Sequence, residues 1–250
     1  METLYIFAVM AFAAFLQTVT SFGFALAAAP LLLFVMNPKD VVMFILYAGL
    51  INKLLLIHRT WGDGNFRSMA VIAAASLPGV IAGSYALKIA SDASIKMLIG
   101  IVLLGAAAAM MRNASVTIRN QTLAQSVVGV VSGFLGSTTS FSGPPVMMYL
   151  LNEREDKDAV RANLTRYFIL GNLSTLTAAY LFGTFHPAEM AGNVLLSIPG
   201  IWLGFFAGDK LFSRLDASLF RKMAIGVIGI SGLISVGSGL LPYLSKIWTH

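Results

Sequence analysis

The chain has 250 residues, of which 57% are hydrophobic and 11% are charged, and its mean hydropathy is +0.81. Because charged residues make up about a quarter of ordinary soluble domains, this composition excludes a soluble globular protein and indicates a membrane protein. The formal net charge of +6 does not indicate nucleic-acid binding, since the basic residues gather at the ends of apolar segments and form no basic domain.

The first apolar segment, residues 5–36, is too long for one membrane helix. As a straight helix it would measure about 48 Å, against roughly 30 Å of bilayer hydrocarbon. Small and hydroxyl residues interrupt it near its middle, so we predict two half-helices joined by a polar break. Three segments of ordinary spanning length follow it, at 41–57, 68–88 and 95–111.

The second half of the chain repeats this order. A long segment with an internal polar break comes first, at 122–151. Three further spans follow it, at 162–182, 190–208 and 222–240. We therefore predict a duplication, with a first repeat at 1–120 and a second repeat at 121–250.

Short sequence echoes support the duplication and keep the same order in both halves. Thr20-Ser21-Phe22 returns as Thr139-Ser140-Phe141, and Ser76-Leu77-Pro78-Gly79 returns as Ser197-Ile198-Pro199-Gly200. A two-fold repeat in a membrane protein is the usual architecture of a transporter, whose substrate site lies where the two halves meet.

The distribution of basic residues favours broken segments that turn back rather than cross. If both are re-entrant, 13 lysines and arginines lie on one side and 4 on the other; if both cross, the numbers are 11 and 6. The positive-inside rule favours the first arrangement, with both termini outside the cytoplasm and the basic loops inside it. Each repeat then has three full spans. Because this number is odd, the two repeats have opposite orientations in the membrane. The predicted fold is an all-α integral membrane protein of two inverted repeats, each a broken or re-entrant helix hairpin plus three transmembrane helices.

The two polar breaks are the first candidates for a substrate site. A helix that starts at such a break presents unbonded N–H groups and the positive end of its dipole, and both favour an anion. The alternative is that these residues only pack helices together, with their hydroxyls bonded to their own backbone. The candidates are Thr20, Ser21, Gly23, Ser137, Thr138, Thr139, Ser140, Ser142 and Gly143.

Four further polar residues lie within or near the ends of predicted spans. Asn52 and Asn172 occupy corresponding places in the two halves, and a polar side chain inside a span must face protein or water. Lys53 and Arg166 lie near the basic ends of their spans and could meet an anionic substrate. The alternatives are interhelical hydrogen bonds for the asparagines and extension toward the membrane interface for the basic side chains.

The residue inventory argues against other functional classes. All 11 acidic residues fall in predicted loops or at span ends, so no carboxylate is placed in mid-membrane as a proton relay or cation ligand. The sequence contains no cysteine, no histidine pair with metal-ligand spacing and no serine, histidine and acid set within the predicted spans. We therefore expect no enzyme activity, no metal and no cofactor.

Two sequences mark the breaks. One is Gln17-Thr18-Val19-Thr20-Ser21-Phe22-Gly23-Phe24, and the other is Gly133-Phe134-Leu135-Gly136-Ser137-Thr138-Thr139-Ser140-Phe141-Ser142-Gly143-Pro144-Pro145. Together they resemble the paired signatures of the TauE/SafE sulfite exporter family, and the resemblance extends over nearly the whole chain. It implies an inner-membrane carrier of sulfur-containing anions such as sulfite, thiosulfate, sulfoacetate or other sulfonates.

The sequence departs from the family pattern in two respects. Thr20, Ser21 and Ala25 stand where the family often has glycine, which suggests an individual substrate preference. The absence of cysteine argues against the thiosulfate-importing branch, which the resemblance associates with functional cysteines.

These observations together predict a secondary membrane transporter, an exporter of a small sulfur-containing anion such as sulfite, sulfoacetate or another organosulfonate. The anion is expected to bind near the membrane midplane, between the tips of the two repeats. An anion channel and a carrier of a small organic carboxylate are the alternatives. The expected partners are the lipid bilayer and a small anionic substrate, without nucleic acid, and a homodimer is left open.

Overall fold

The computed structural model describes residues 2–60, 62, 64–112, 120–153, 157–212, 233, 236 and 237. Over these residues every regular element is a helix, which confirms the all-α prediction. In chain order the helices of the described residues are α1 Glu2–Thr20, α2 Phe24–Leu32, α3 Pro38–Ile57, α4 Phe66–Ile89, α5 Asp92–Arg112, α6 Gln121–Thr139, α7 Gly143–Asn152, α8 Lys157–Leu181 and α9 Pro187–Phe212.

Five of the six predicted spans coincide with helices α3, α4, α5, α8 and α9. The sixth, 222–240, lies outside the described residues except at three isolated positions. Within the described part of the chain, four helical segments are long and apolar enough to cross a membrane: Thr3–Thr20, Pro38–Ile57, Phe66–Ile89 and Pro187–Phe212. The chain is therefore a helical, multi-pass membrane protein.

Both broken segments are confirmed as pairs of helices. Residues 21–23 separate α1 from α2, and residues 140–142 separate α6 from α7. At each break the serine of the Thr-Ser-Phe sequence takes a left-handed backbone conformation, with φ of 72° at Ser21 and 65° at Ser140. Non-glycine residues rarely adopt this conformation, and it cannot continue a right-handed helix. The first helix of each pair therefore ends at the same place in the repeated sequence.

The breaks lie later in the segments than the predicted midpoint. Helices α1 and α6 have 19 residues each, whereas α2 has 9 and α7 has 10. The helix continues through the hydroxyl residues, whose side chains bond to carbonyls one turn earlier instead of interrupting the backbone, as Thr138 does to Phe134. By length and composition α1 alone could cross a bilayer, so the re-entrant path stays a prediction.

The longer helix of each broken pair packs against a helix that is distant in the sequence, α1 against α9 and α6 against α4. At Gly79 an added Cβ would meet the Val130 carbonyl oxygen and the Phe134 amide nitrogen. At Gly204 it would meet the corresponding atoms of Ala11 and Phe15. Glycine therefore allows both helix pairs to approach closely, as small residues do in membranes.

This pairing differs from the sequence echo by one helical turn. The repeated Ser-Leu/Ile-Pro-Gly sequence matches Gly79 to Gly200, but the contacts match Gly79 to Gly204. Neighbouring side chains settle the packing register, and glycines four residues apart make both registers available in the sequence. The boundary between the repeats and the inversion of one relative to the other stay predictions.

Helix α8 is more polar than the other long helices of the described chain, yet most of its first half is buried. It packs against α3 and α4. Such a helix lies inside the bundle, where protein groups rather than lipid surround its polar side chains. This position brings α8 to both helix breaks.

Candidate anion-binding site

A cavity lies where the two helix breaks meet α3 and α8. Its walls combine aromatic and small polar side chains with a single lysine. The lining residues are Gln17, Phe22, Phe24, Ala25, Ile45, Leu46, Lys53, Ser140, Phe141, Ser142, Gly143, Pro144, Phe168 and Asn172.

Lys53 supplies the positive charge of this cavity. The side chain is 5% exposed, and its Nζ lies 5.8 Å from the centre of the Phe24 ring and 5.4 Å from that of Phe168. No carboxylate of the described residues forms an ion pair with it. A buried charge without a counterion is unfavourable, and two aromatic rings compensate it only in part. A bound anion would supply the missing partner.

The backbone of α3 leaves room for this lysine to turn inward. A Cβ added to Gly49, one turn before Lys53, would lie 3.0 Å from Nζ and 3.2 Å from the Phe24 ring. The ammonium group therefore lies along α3, in the space that a side chain at Gly49 would fill. Lys53 faces the cavity as a result, instead of extending toward the membrane interface.

The starts of both short helices line the cavity. Helix α2 begins at Phe24 and α7 begins at Gly143. An added Cβ at Gly143 would lie 3.0 Å from Phe22 Cβ and 3.1 Å from Phe168 Cζ, so a larger residue here would have to push one of these two side chains aside. Because helix starts carry partial positive charge, both ends add to the field of Lys53.

Gln17 fixes the first break. Its Nε2 donates to the Ser21 carbonyl at 2.8 Å, and its Oε1 accepts from the Phe24 amide at 3.1 Å. One side chain therefore bridges the end of α1 and the start of α2. The corresponding position of the second hairpin is Gly136, which has no side chain to play this part.

Most of the hydroxyl groups that were predicted to bind the anion form hydrogen bonds with the backbone at the helix ends. Ser137, Thr138 and Thr139 donate to the carbonyls of Gly133, Phe134 and Leu135 at 2.6, 2.8 and 2.7 Å, and none of the three lines the cavity. At the first break the Thr20 hydroxyl accepts from the Phe22 amide at 3.2 Å, and Thr20, Ser21 and Gly23 do not line the cavity.

Three predicted residues of the second break do line it, namely Ser140, Ser142 and Gly143. The Ser140 hydroxyl donates to the Val42 carbonyl at 3.3 Å, which ties this tip to α3.

The two asparagines have different roles. Asn172 lines the cavity, and its Nδ2 donates to the Leu46 carbonyl at 2.9 Å, which ties α8 to α3. Asn52 is fully buried, and neither its Nδ2 nor its Oδ1 has a hydrogen-bond partner within the described chain. It does not line the cavity. The structure therefore brings one of the two predicted asparagines to the site.

The two basic candidates, Lys53 and Arg166, also lie in different parts of the structure. Lys53 lies in the cavity, whereas Nη1 of the half-buried Arg166 lies beside Gly64, in the connection between α3 and α4. Sequence reasoning missed Gln17 and the rings of Phe24 and Phe168. Gln17 was detectable as a polar residue of the first break, but the chain has 17 phenylalanines and nothing in their pattern singles out these two.

Comparison with known proteins agrees with the resemblance stated above. A family model described as "Sulfite exporter TauE/SafE" matches residues 6–235. The chain is also similar to a protein of Cupriavidus necator strain H16 named "Probable sulfite/organosulfonate exporter TauE". The two are 24% identical over 191 residues, which cover 74% of this chain and 71% of that protein. No solved structure matches the chain significantly. The chain belongs to the sulfite exporter TauE/SafE family.

Proposed function

We propose that the protein is a secondary transporter that exports a small sulfur-containing anion, such as sulfite, sulfoacetate or another organosulfonate. The anion binds in the cavity between the two helix breaks. The observation that supports this most strongly is Lys53, a buried ammonium group without a carboxylate partner in the described chain, at a cavity that both breaks line. Family membership supports the sulfur chemistry.

The lining suits one small anion with a compact apolar part. Among the described residues that line the cavity, Lys53 is the only basic or acidic one, while Phe22, Phe24, Phe141 and Phe168 supply apolar surface. A sulfonate oxygen can accept from Nζ in a strong, charge-assisted hydrogen bond. The helix starts at Phe24 and Gly143 add to the attraction without an additional charged side chain.

We propose further that the two halves are inverted and provide the two access states of the transporter, in the inner membrane with both termini outside the cytoplasm. The exchange of hairpin arms between halves, α1 on α9 and α6 on α4, supports this arrangement. So do the matching glycine contacts of Gly79 and Gly204. Movement of one half against the other would then open the cavity to each side in turn.

Counterflow in liposomes tests the proposal. Purified protein should exchange labelled sulfite or sulfoacetate with saturation, and excess unlabelled sulfonate inside should drive uptake. Lys53→Met should lower this exchange at least about tenfold, because it removes a charge-assisted hydrogen bond of about 1.5–3 kcal/mol.

Lys88→Met is the matched control. It removes the same charge from an exposed position in the last turn of α4 and should leave exchange unchanged. Flux without saturation or counterflow would indicate a channel. Exchange of acetate in preference to every sulfur anion would indicate a carboxylate carrier. Full activity of Lys53→Met would refute the proposed site.

A further inference from the structure

A cluster of charged side chains lies at one end of the bundle, apart from the cavity. Asp209, near the end of α9, accepts from Arg161 Nη2 at 3.0 Å and lies 3.5 Å from Arg59 Nε. Arg59 follows the end of α3, and Arg161 lies in the second turn of α8. One carboxylate therefore joins α3, α8 and α9, and with them both predicted halves of the chain.

The Asp209 carboxylate satisfies only some of the hydrogen-bond donors of the buried Arg161 guanidinium group. Arg161 is 6% exposed, and its Nε is buried without a hydrogen-bond partner among the described residues. Its guanidinium carbon lies 4.1 Å from the centre of the Phe212 ring, which covers one face. An unbonded buried donor is unfavourable, so the arrangement has a place for another acceptor oxygen. Among the described residues, Asp158 is a further carboxylate near Arg161, and it is exposed in the first turn of α8.

The cluster is close to the cavity along two helices. Arg59 lies six residues beyond Lys53 on the α3 side, which is about 9 Å at the helical rise. Arg161 lies seven residues before Phe168 on α8, which is about 10 Å. The guanidinium groups of Arg59, just past α3, and of Arg161, on α8, therefore lie about two turns nearer the end of the bundle than the cavity.

We propose that Arg59 and Arg161 form a second oxyanion site, at the entrance to the cavity, and that Asp209 occupies it while no anion is bound. A sulfite or sulfonate group has three oxygens, enough to accept from Arg161 Nε and Nη2 and from Arg59 together, as planar guanidinium groups favour. Binding of the anion displaces Asp209. Displacement also breaks the ion pairs that join α9 to Arg59 and Arg161, so that arrival of substrate loosens this end of the bundle. The role as an entrance rests on the proposed transport function; the oxyanion site itself does not.

Sulfite binding to purified full-length protein tests the site without transport. In a Lys53→Met background the cavity lacks its cation, and Asp209 competes with sulfite for the arginines, so binding of labelled sulfite should be weak. Adding Asp209→Asn should restore binding of labelled sulfite at least about tenfold, and adding Arg161→Gln to that protein should abolish it. Glu189→Gln, at the other end of α9, removes an exposed acid and should restore nothing.

Two results would overturn the inference: no binding by a folded Lys53→Met/Asp209→Asn protein, or binding that survives Arg161→Gln. Sulfite binding that Lys53→Met leaves intact and Arg161→Gln removes would refute the proposed cavity site and still support the arginine site. The two proposals can therefore fail separately.

A sided transport assay decides the matter if the Asp209 variant does not fold. Arg59→Gln changes a side chain that is 58% exposed, so it should not affect folding. It should raise KM by roughly threefold or more for sulfite presented from the face where α3 ends, because it weakens capture there. KM from the opposite face should not change. A KM that the substitution changes on neither face, or by the same factor on both faces, would contradict an entrance site.

Discussion

A buried lysine that lacks a carboxylate partner destabilises a fold, and within the described chain Lys53 is such a residue. Its two aromatic neighbours and the glycine one turn earlier hold it in the cavity. Its role could not be settled from the sequence, because a lysine near a helix end can equally extend to the membrane interface. Gly49 and the ring of Phe168 decide its direction, and both depend on tertiary packing.

Replacement of this lysine should separate stability from binding. Lys53→Met keeps a long unbranched side chain, one atom shorter than lysine, and removes the uncompensated charge, so it should raise the free energy of unfolding by about 1 kcal/mol or more. Thermal unfolding in detergent without ligand measures this. Sulfite should raise the unfolding temperature of the wild type and not that of the variant. A Lys53→Met protein less stable than the wild type would contradict this, because it would mean that a counterion already compensates the charge of Lys53.

Gln17 offers a second test at the scale of single residues. Gln17→Ala removes two buried hydrogen bonds and leaves the Ser21 carbonyl and the Phe24 amide unsatisfied. The expected loss is about 1–3 kcal/mol of stability together with weaker sulfite binding, because the start of α2 loses its position. Ser126→Ala, which removes an exposed bond to the Thr122 carbonyl, is the control and should be nearly neutral. Unchanged stability of Gln17→Ala would show that the break does not depend on this side chain.

At the scale of helices, the sequence predicts the number and order of the described elements well. Apolar runs predict α3, α4, α5, α8 and α9, and the interrupted runs predict both broken segments. The position of each break was predicted less closely, since hydroxyl residues such as Thr138 remain helical and only the left-handed Ser21 and Ser140 end the helix. The repeated sequences also align α4 with α9 one turn away from the alignment that the helix contacts give. The reason is that the packing register depends on the facing helix.

Glycine contacts between helices give a test at this scale. Gly79→Ala would place a methyl group against the Val130 carbonyl and the Phe134 amide, both backbone groups that cannot move aside separately. We expect a loss of about 1–3 kcal/mol in stability, the usual effect of overpacking.

Gly105→Ala is the matched control, since an added Cβ in α5 meets nothing within 4 Å. It should stabilise the protein by about 0.5–1 kcal/mol through helix propensity. Thermal unfolding of both variants measures the difference. Equal effects of the two substitutions would contradict the close packing of α4 on α6.

At the scale of the whole molecule, the two halves contribute unequally to one cavity. The first half supplies Lys53 and the Gln17 bridge, while the second supplies Gly143, Phe168 and Asn172. A duplicated sequence predicts that the site lies where the halves meet. It could not predict which copy of each repeated residue takes part, because Asn172 reaches the cavity and Asn52 does not.

The central claim is that a sulfur oxyanion binds beside Lys53, between the two helix breaks. Selenite has the shape and charge of sulfite, and selenium scatters X-rays anomalously, so crystals grown with selenite locate the anion directly. The account predicts an anomalous peak with a selenite oxygen roughly 3 Å from Lys53 Nζ, lost in crystals of Lys53→Met. An empty cavity in wild-type crystals, with selenite bound elsewhere, would contradict it.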